Sequence, residues 1–245
     1  MHPMFEHADL GNFTAPSGAV LESSDLSLIC DLYETKSVTR EEEPVTLKSG
    51  RRSNFYVHLR ADLTDHPKVL GKLGYKVAKM VRNTPMPSLG RPCLIGIPTA
   101  GTAIAQAASF VDTFMGSRNG PSIFFRTMRS VKKNHGKNQT WVDGVIDLES
   151  HAYGTIENVT TTSGSLIENI GRLEEDGYPA RSDMHHFIVV DRQQGAAKGL
   201  QEAGIKHVHV LFTLHDIIAA FAHLQLGEWN QSHCIEIEEE CRLHR

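Results

Sequence analysis

The chain has only four cysteines in 245 residues, Cys30, Cys93, Cys234 and Cys241, and none of them forms a CxxC pair. That scarcity excludes a disulfide scaffold and a cysteine-built zinc site, leaving reduced thiols as the expectation. Long apolar runs are missing too: the stretches at 93–97, 208–212 and 217–222 fall far short of the roughly 18 residues a bilayer-crossing helix needs. No integral membrane protein is expected. The opening residues 1–7 carry neither a Lys/Arg-rich start nor an apolar run, so no targeting signal is read there and the cytoplasm is the expected compartment. The two tryptophans, Trp141 and Trp229, are too isolated for a nucleic-acid stacking platform. No nucleic-acid partner is expected.

What is present is ordinary globular material, 40% hydrophobic and 22% charged. A chain of this length buries roughly 70–75% of its unfolded surface, so it can build its core unaided. The net charge of -4 hides a segregation. Residues 113–142 contain no Asp or Glu, yet hold Arg118, Arg126, Arg129, Lys132, Lys133 and Lys137, while Glu236, Glu238, Glu239 and Glu240 crowd near the C-terminus. An acid-free basic stretch suits an anionic ligand.

Residues 1–20, with Gly11, Pro16 and Gly18, read as a loose lead-in. Helical spacing of Leu26, Ile29, Leu32 and Tyr33 predicts a helix over 24–33, and residues 45–48, 49–53 and 54–59 read as strand, turn, strand. Beyond residue 63 strands and helices alternate. An apolar stripe of Leu70, Leu73, Val77 and Met80 marks a helix over 67–81. Strands are predicted at 93–97, 122–125, 154–158, 187–190 and 208–211, and helices at 102–115, 165–176, 196–203 and 213–224. The last helix has a capping-box-like start at Thr213 and Asp216. Strands separated by helices of this length give βαβ units. The expected fold class is α/β: a doubly wound, mainly parallel sheet with a small N-terminal helix-and-hairpin hood. The hood spans 21–62 and the core 63–225, and residues 226–245 form an acidic tail expected to be solvated.

In such sheets ligands bind at the carboxyl ends of the strands. Four loops there carry chemistry. Residues 155–165 run Thr-Ile-Glu-Asn-Val-Thr-Thr-Thr-Ser-Gly-Ser, five hydroxyls in six residues feeding a helix start. Such a turn presents backbone N–H groups and hydroxyls to a phosphate, and five hydroxyls exceed what capping needs. Residues 96–102, with Thr99, Ala100 and Gly101, form a second strand-to-helix turn whose role is equally well structural. The third is the basic stretch around Arg129, Lys133 and His135; the fourth is Asp191-Arg192-Gln193, whose arginine suits a carboxylate.

These segments, in this order from about residue 26 to 224, resemble the type I phosphoribosyltransferases. The loop after Ile156 is similar to that family's phosphoribosyl-pyrophosphate (PRPP) signature. Thr46–Arg51 with Tyr56, the Lys133-Asn134-His135-Gly136 element and Asp191-Arg192-Gln193 resemble the orotate phosphoribosyltransferase family within it. The resemblance implies transfer of ribose 5-phosphate from PRPP to N1 of orotate, with magnesium bound through PRPP rather than by a protein site. It implies that Thr160, Thr161, Thr162, Ser163, Gly164 and Ser165 cradle the 5'-phosphate. Glu157 and Asn158 would face the ribose, and Thr99, Ala100 and Gly101 the pyrophosphate. Lys48, Tyr56 and Arg192 would bracket orotate. A homodimer is implied, in which Arg129, Lys133 and His135 close over the neighbouring subunit's site. Asn158, Ser163, Ala100, Ser130 and Val57 depart from the family pattern. The alternative is therefore a non-catalytic or altered-specificity relative of the same fold, which binds PRPP or a nucleotide as a regulator or transfers ribose phosphate to another base.

Overall fold

The structure, a computed structural model, describes residues 9–86, 90–115, 122–131, 140–142, 144 and 146–243. The lead-in differs from expectation. Strands β1 (Phe13–Thr14) and β2 (Val20–Leu21) pair antiparallel. The Ser17 amide donates to Asp216 Oδ1 at 3.0 Å, and the Phe13 ring stacks on His223 at 4.5 Å. Buried Ala15 and Leu21 find apolar partners far along the chain, which local composition does not reveal.

Helix α1 (Ser23–Glu34) buries Leu26, Ile29 and Leu32 as its spacing predicts. The hood hairpin follows, β3 (Val38–Thr46) antiparallel to β4 (Arg52–Val57), with an irregular register between Arg40 and Val45. After the short α2 (Ala61–Asp65), α3 (Pro67–Asn83) buries Val69, Leu73, Val77 and Val81. Leu70 and Met80 are only partly buried, so the core-facing stripe is turned slightly from the predicted one. Two lysines on that helix, Lys72 and Lys76, are also buried and pair with Asp31 and Asp25 of α1. Paired in this way, neither cation is left alone in the interior.

The core continues as β5 (Arg91–Gly96), α4 (Ala100–Phe114), β6 (Phe124–Thr127), β7 (His151–Thr160), α5 (Gly164–Glu175), β8 (His185–Asp191), α6 (Ala196–Glu202), β9 (His207–Thr213) and α7 (Leu214–His223). The five strands form one all-parallel sheet in the order β6-β5-β7-β8-β9. Successive strand residues point to opposite faces. Cys93, Ile95, Tyr153 and Ile188 thus join Leu166, Ile170 and Leu173 of α5 in one core. Leu94, Ile156 and Phe187 face a larger core built with α1, α3, α4 and α7. Thr213 caps α7, its hydroxyl oxygen accepting from the Asp216 amide at 3.0 Å.

The acidic tail is a packed helix, α8 (Gln231–Arg242), rather than a solvated end. Cys234, Ile237 and Cys241 recur at helical spacing and are buried, whereas Glu238 and Glu239 remain exposed. Among the described residues no helix is long and apolar enough to cross a membrane.

Candidate active site

The strand order reverses around β5, which lies between β6 and β7, and the crevice at such a switch point is where open α/β sheets bind ligands. After β5 the chain turns sharply into α4. A Cβ on Gly101 would lie 2.3 Å from the Ile156 carbonyl oxygen, and one on Gly96 would lie 2.4 Å from Thr102 Cα. Close packing of α4 on β7 therefore dictates Gly101, and the tight return of α4 onto the end of β5 dictates Gly96. After β7, residues 160–165 turn into α5. Ser163 adopts a left-handed backbone (φ 67°), and its hydroxyl donates to the Ala196 carbonyl at 2.9 Å, tying the loop to the start of α6. No acid occupies the first turn of α5, so its N-terminal N–H groups keep their attraction for an anion.

A cavity of about 720 Å³ opens between this loop, the hood turn and the end of β8. Lys48 reaches from the hood to it, donating to Ser165 Oγ at 2.7 Å. Arg192 is only 2% exposed, and its Nη2 donates to Ser53 Oγ at 2.7 Å and to the Phe55 carbonyl at 2.9 Å. Its Nε is buried with no protein partner. Burial pulls its pKa down, opposed by the nearby Glu240 carboxylate. Glu157 is 8% exposed, and burial lifts its carboxyl to about 7 although the cations Arg60 and Lys48 face it. Asn158 Nδ2 donates to the Leu59 carbonyl at 2.8 Å, joining the sheet to the hood. Among the described residues no group of three His, Cys, Asp or Glu could hold a metal ion.

No family model matches the chain. Over 188 residues it is 31% identical to the orotate phosphoribosyltransferase of Rhodopseudomonas palustris, a match spanning 75% of this chain and 91% of that protein. The chain belongs to the orotate phosphoribosyltransferase family. It is also 28% identical over 166 residues to the Methanosphaera stadtmanae orotate phosphoribosyltransferase, covering 68% of this chain and 82% of that one. Solved structures agree on the fold. Leishmania donovani UMP synthase superposes with a TM-score of 0.68 at 20% identity, over 89% of this chain but 42% of that one. Mycobacterium tuberculosis orotate phosphoribosyltransferase gives 0.59 at 19% identity, over 79% and 98%.

Of the residues singled out in the sequence, the structure brings Lys48, Tyr56, Glu157, Asn158, residues 160–165 and Arg192 to one cavity. The turn at 97–101 contributes Pro98 to the lining; Thr99, Ala100 and Gly101 lie beside the cavity without lining it. Lys133 and His135 lie outside the described residues. Arg129 does not line the cavity either; its amide donates to the Thr140 carbonyl at 2.7 Å. Sequence reasoning missed three residues. Arg60 lines the cavity opposite Glu157. Arg172, on α5, lines it and donates to the Arg129 and Ser130 carbonyls at 2.9 and 3.1 Å. Glu240, on α8, contacts Arg192. The spacing of Cys234, Ile237 and Cys241 signals that α8 has a buried face, whereas nothing local marks Arg60 or Arg172.

Proposed function

We propose that the chain transfers ribose 5-phosphate from PRPP to N1 of orotate, releasing pyrophosphate and forming orotidine 5'-monophosphate for UMP synthesis. The observation that carries this reading is the juxtaposition across one cavity of the α5 N-terminal hydroxyl turn and the buried Arg192 guanidinium. One suits a phosphate and the other a carboxylate. Residues 160–165 hold the 5'-phosphate, Glu157 and Asn158 face the ribose hydroxyls, and Lys48, Tyr56 and Arg192 bracket orotate. Thr99, Ala100 and Gly101 border the pyrophosphate.

As the bond to pyrophosphate breaks, the ribose becomes cationic and negative charge builds on the leaving group. Preorganised cations stabilise that charge best where water is excluded. Arg129, Lys133 and His135 supply them, acting across a homodimer on the neighbouring site. Exposed Phe110 and Phe114 on α4 are consistent with an interface between copies. Magnesium favours phosphate oxygens together with one or two carboxylates, which fits a cavity holding the Glu157 carboxylate. Bound through PRPP, it would neutralise charge on the pyrophosphate. The setting we propose is the cytoplasm.

The test is direct: purified protein, magnesium, PRPP and orotate, with orotate absorbance followed in time. Consumption of orotate with release of pyrophosphate is expected; nucleotide binding without turnover would overturn the enzyme reading. Lys133→Ala is expected to slow turnover about a hundredfold with the fold intact, and unchanged turnover would remove Lys133 from the mechanism. One observation favours the alternative, a non-catalytic PRPP or nucleotide-binding regulator: the Asn158 amide is engaged by Leu59, where relatives of the resembled pattern carry a second acid.

A further inference from the structure

The C-terminal helix reaches the back of the proposed base site. The Glu240 carboxylate, 14% exposed, accepts from Ser53 Oγ at 2.9 Å, from Gln194 Nε2 and from Arg192 Nη2 at 3.5 Å. Two further contacts fix the helix in place. Cys241 Sγ lies 3.5 Å from the Arg192 carbonyl oxygen, and Arg40 Nε of β3 donates to Glu236 Oε2 at 2.9 Å. The Ser53 hydroxyl accepts from Arg192 and has one proton to give, for which the carboxylate is a stronger acceptor than the Phe55 carbonyl. Arg192, Ser53, Gln194 and Glu240 thus form one connected polar network.

We propose that Glu240 is a positioning residue for the base, holding Arg192 and Gln194 so that the guanidinium is oriented to receive the carboxylate of orotate. This deepens the proposed function and rests on it. An unpaired buried cation is unstable, and Glu240 removes that penalty in the empty site. Because the pair is close to neutral, attraction for orotate comes from aimed donors rather than net positive charge. The Arg192 Nε, buried with no protein partner, keeps an N–H unspent in a residue that lines the cavity. If net charge were the device, a carboxylate behind the guanidinium would weaken binding. Removing it therefore distinguishes the two schemes by sign.

The experiment compares the full-length wild type with Glu240→Ala, Glu240→Gln and, as a control on the exposed side of α8, Glu239→Ala. Steady-state kinetics with orotate and PRPP varied separately are read beside orotate calorimetry and thermal melts. Glu240→Ala is expected to raise KM for orotate about tenfold to a hundredfold, leaving kcat and KM for PRPP little changed. Glu240→Gln, which keeps an acceptor oxygen for Ser53, falls between it and the wild type, and Glu239→Ala matches the wild type. If Glu240→Ala does not fold, Glu240→Gln decides: a selective rise in orotate KM supports the proposal and a wild-type value overturns it. A lower orotate KM shows that Glu240 competes with substrate, and an equal rise for both substrates shows a merely structural role; either overturns the proposal. Wild-type protein that binds PRPP but never consumes orotate overturns the proposed function and this inference together. Active wild type with unaltered KM in the Glu240 variants overturns this inference alone.

Discussion

Asn158 shows how one atom changes what a residue does in this site. Its Nδ2 donates to the Leu59 carbonyl at 2.8 Å while the residue is 5% exposed, so the amide joins the sheet to the hood. An aspartate could not donate there and would set a carboxylate against a carbonyl oxygen. Asn158→Asp is therefore expected to destabilise the fold by about 1–3 kcal/mol at neutral pH, the usual cost of stranding a buried polar group. Urea unfolding measures this, and unchanged stability would show that the amide bond to Leu59 is dispensable. At this scale the sequence was most legible where residue types are diagnostic. The hydroxyl run at 160–165, Lys48 and Arg192 all meet at the cavity. It was least legible for Arg60 and Arg172, because a cation on an ordinary helix or loop looks the same whether it faces water or a ligand.

Helix α5 does two things from one element. Its N-terminus opens on the cavity, and eight residues after Gly164 its Arg172 grips the chain at Arg129 and Ser130 through their carbonyls. These carbonyls stand where the basic stretch begins, so α5 couples the anion site to the base of the segment that we propose acts on pyrophosphate. Arg172→Ala is expected to speed amide hydrogen exchange across residues 129–131 and to lower kcat more than the KM for orotate. Unaltered exchange would show that those carbonyls are held by other contacts. Most elements were legible because strand and helix periodicities are local properties. The lead-in hairpin and α8 were not, because what orders them is distant: Asp216 and His223 for the first, the hood and the Arg192 loop for the second. A window of sequence contains the apolar side chains of such a segment but not the surface they bury against.

At the scale of the whole molecule, the parallel sheet between two cores follows from the alternation of strands and helices, and it also creates two opposed pH dependences within one pair of strands. Glu157 on β7 has its carboxyl raised from 4.5 to about 7 by burial. Its contribution to stability is complete below pH 4.5 and lost as pH rises through 7, because the folded state holds that proton more tightly. His186 on β8 is fully buried, and its pKa is lowered from 6.5 to about 4, chiefly by that burial. Its Nε2 donates to the Arg181 carbonyl at 3.2 Å, and its Nδ1 accepts from Thr155 Oγ1 at 2.8 Å, a pattern only the neutral ring satisfies. Its contribution is complete above pH 6.5 and lost as pH falls through 4. Each interval corresponds to about 3 kcal/mol, and between pH 4.5 and 6.5 the two slopes cancel. Single substitutions should separate them. Relative to the wild type, Glu157→Gln is expected to gain stability as pH rises from 4.5 to 7, whereas His186→Asn gains as pH falls from 6.5 to 4. Denaturant unfolding of the three proteins across that range measures both slopes. Difference curves that stay flat would mean that neither group carries its burial cost as a charge, and curves of the same sign would show that one of the two titrates opposite to its environment.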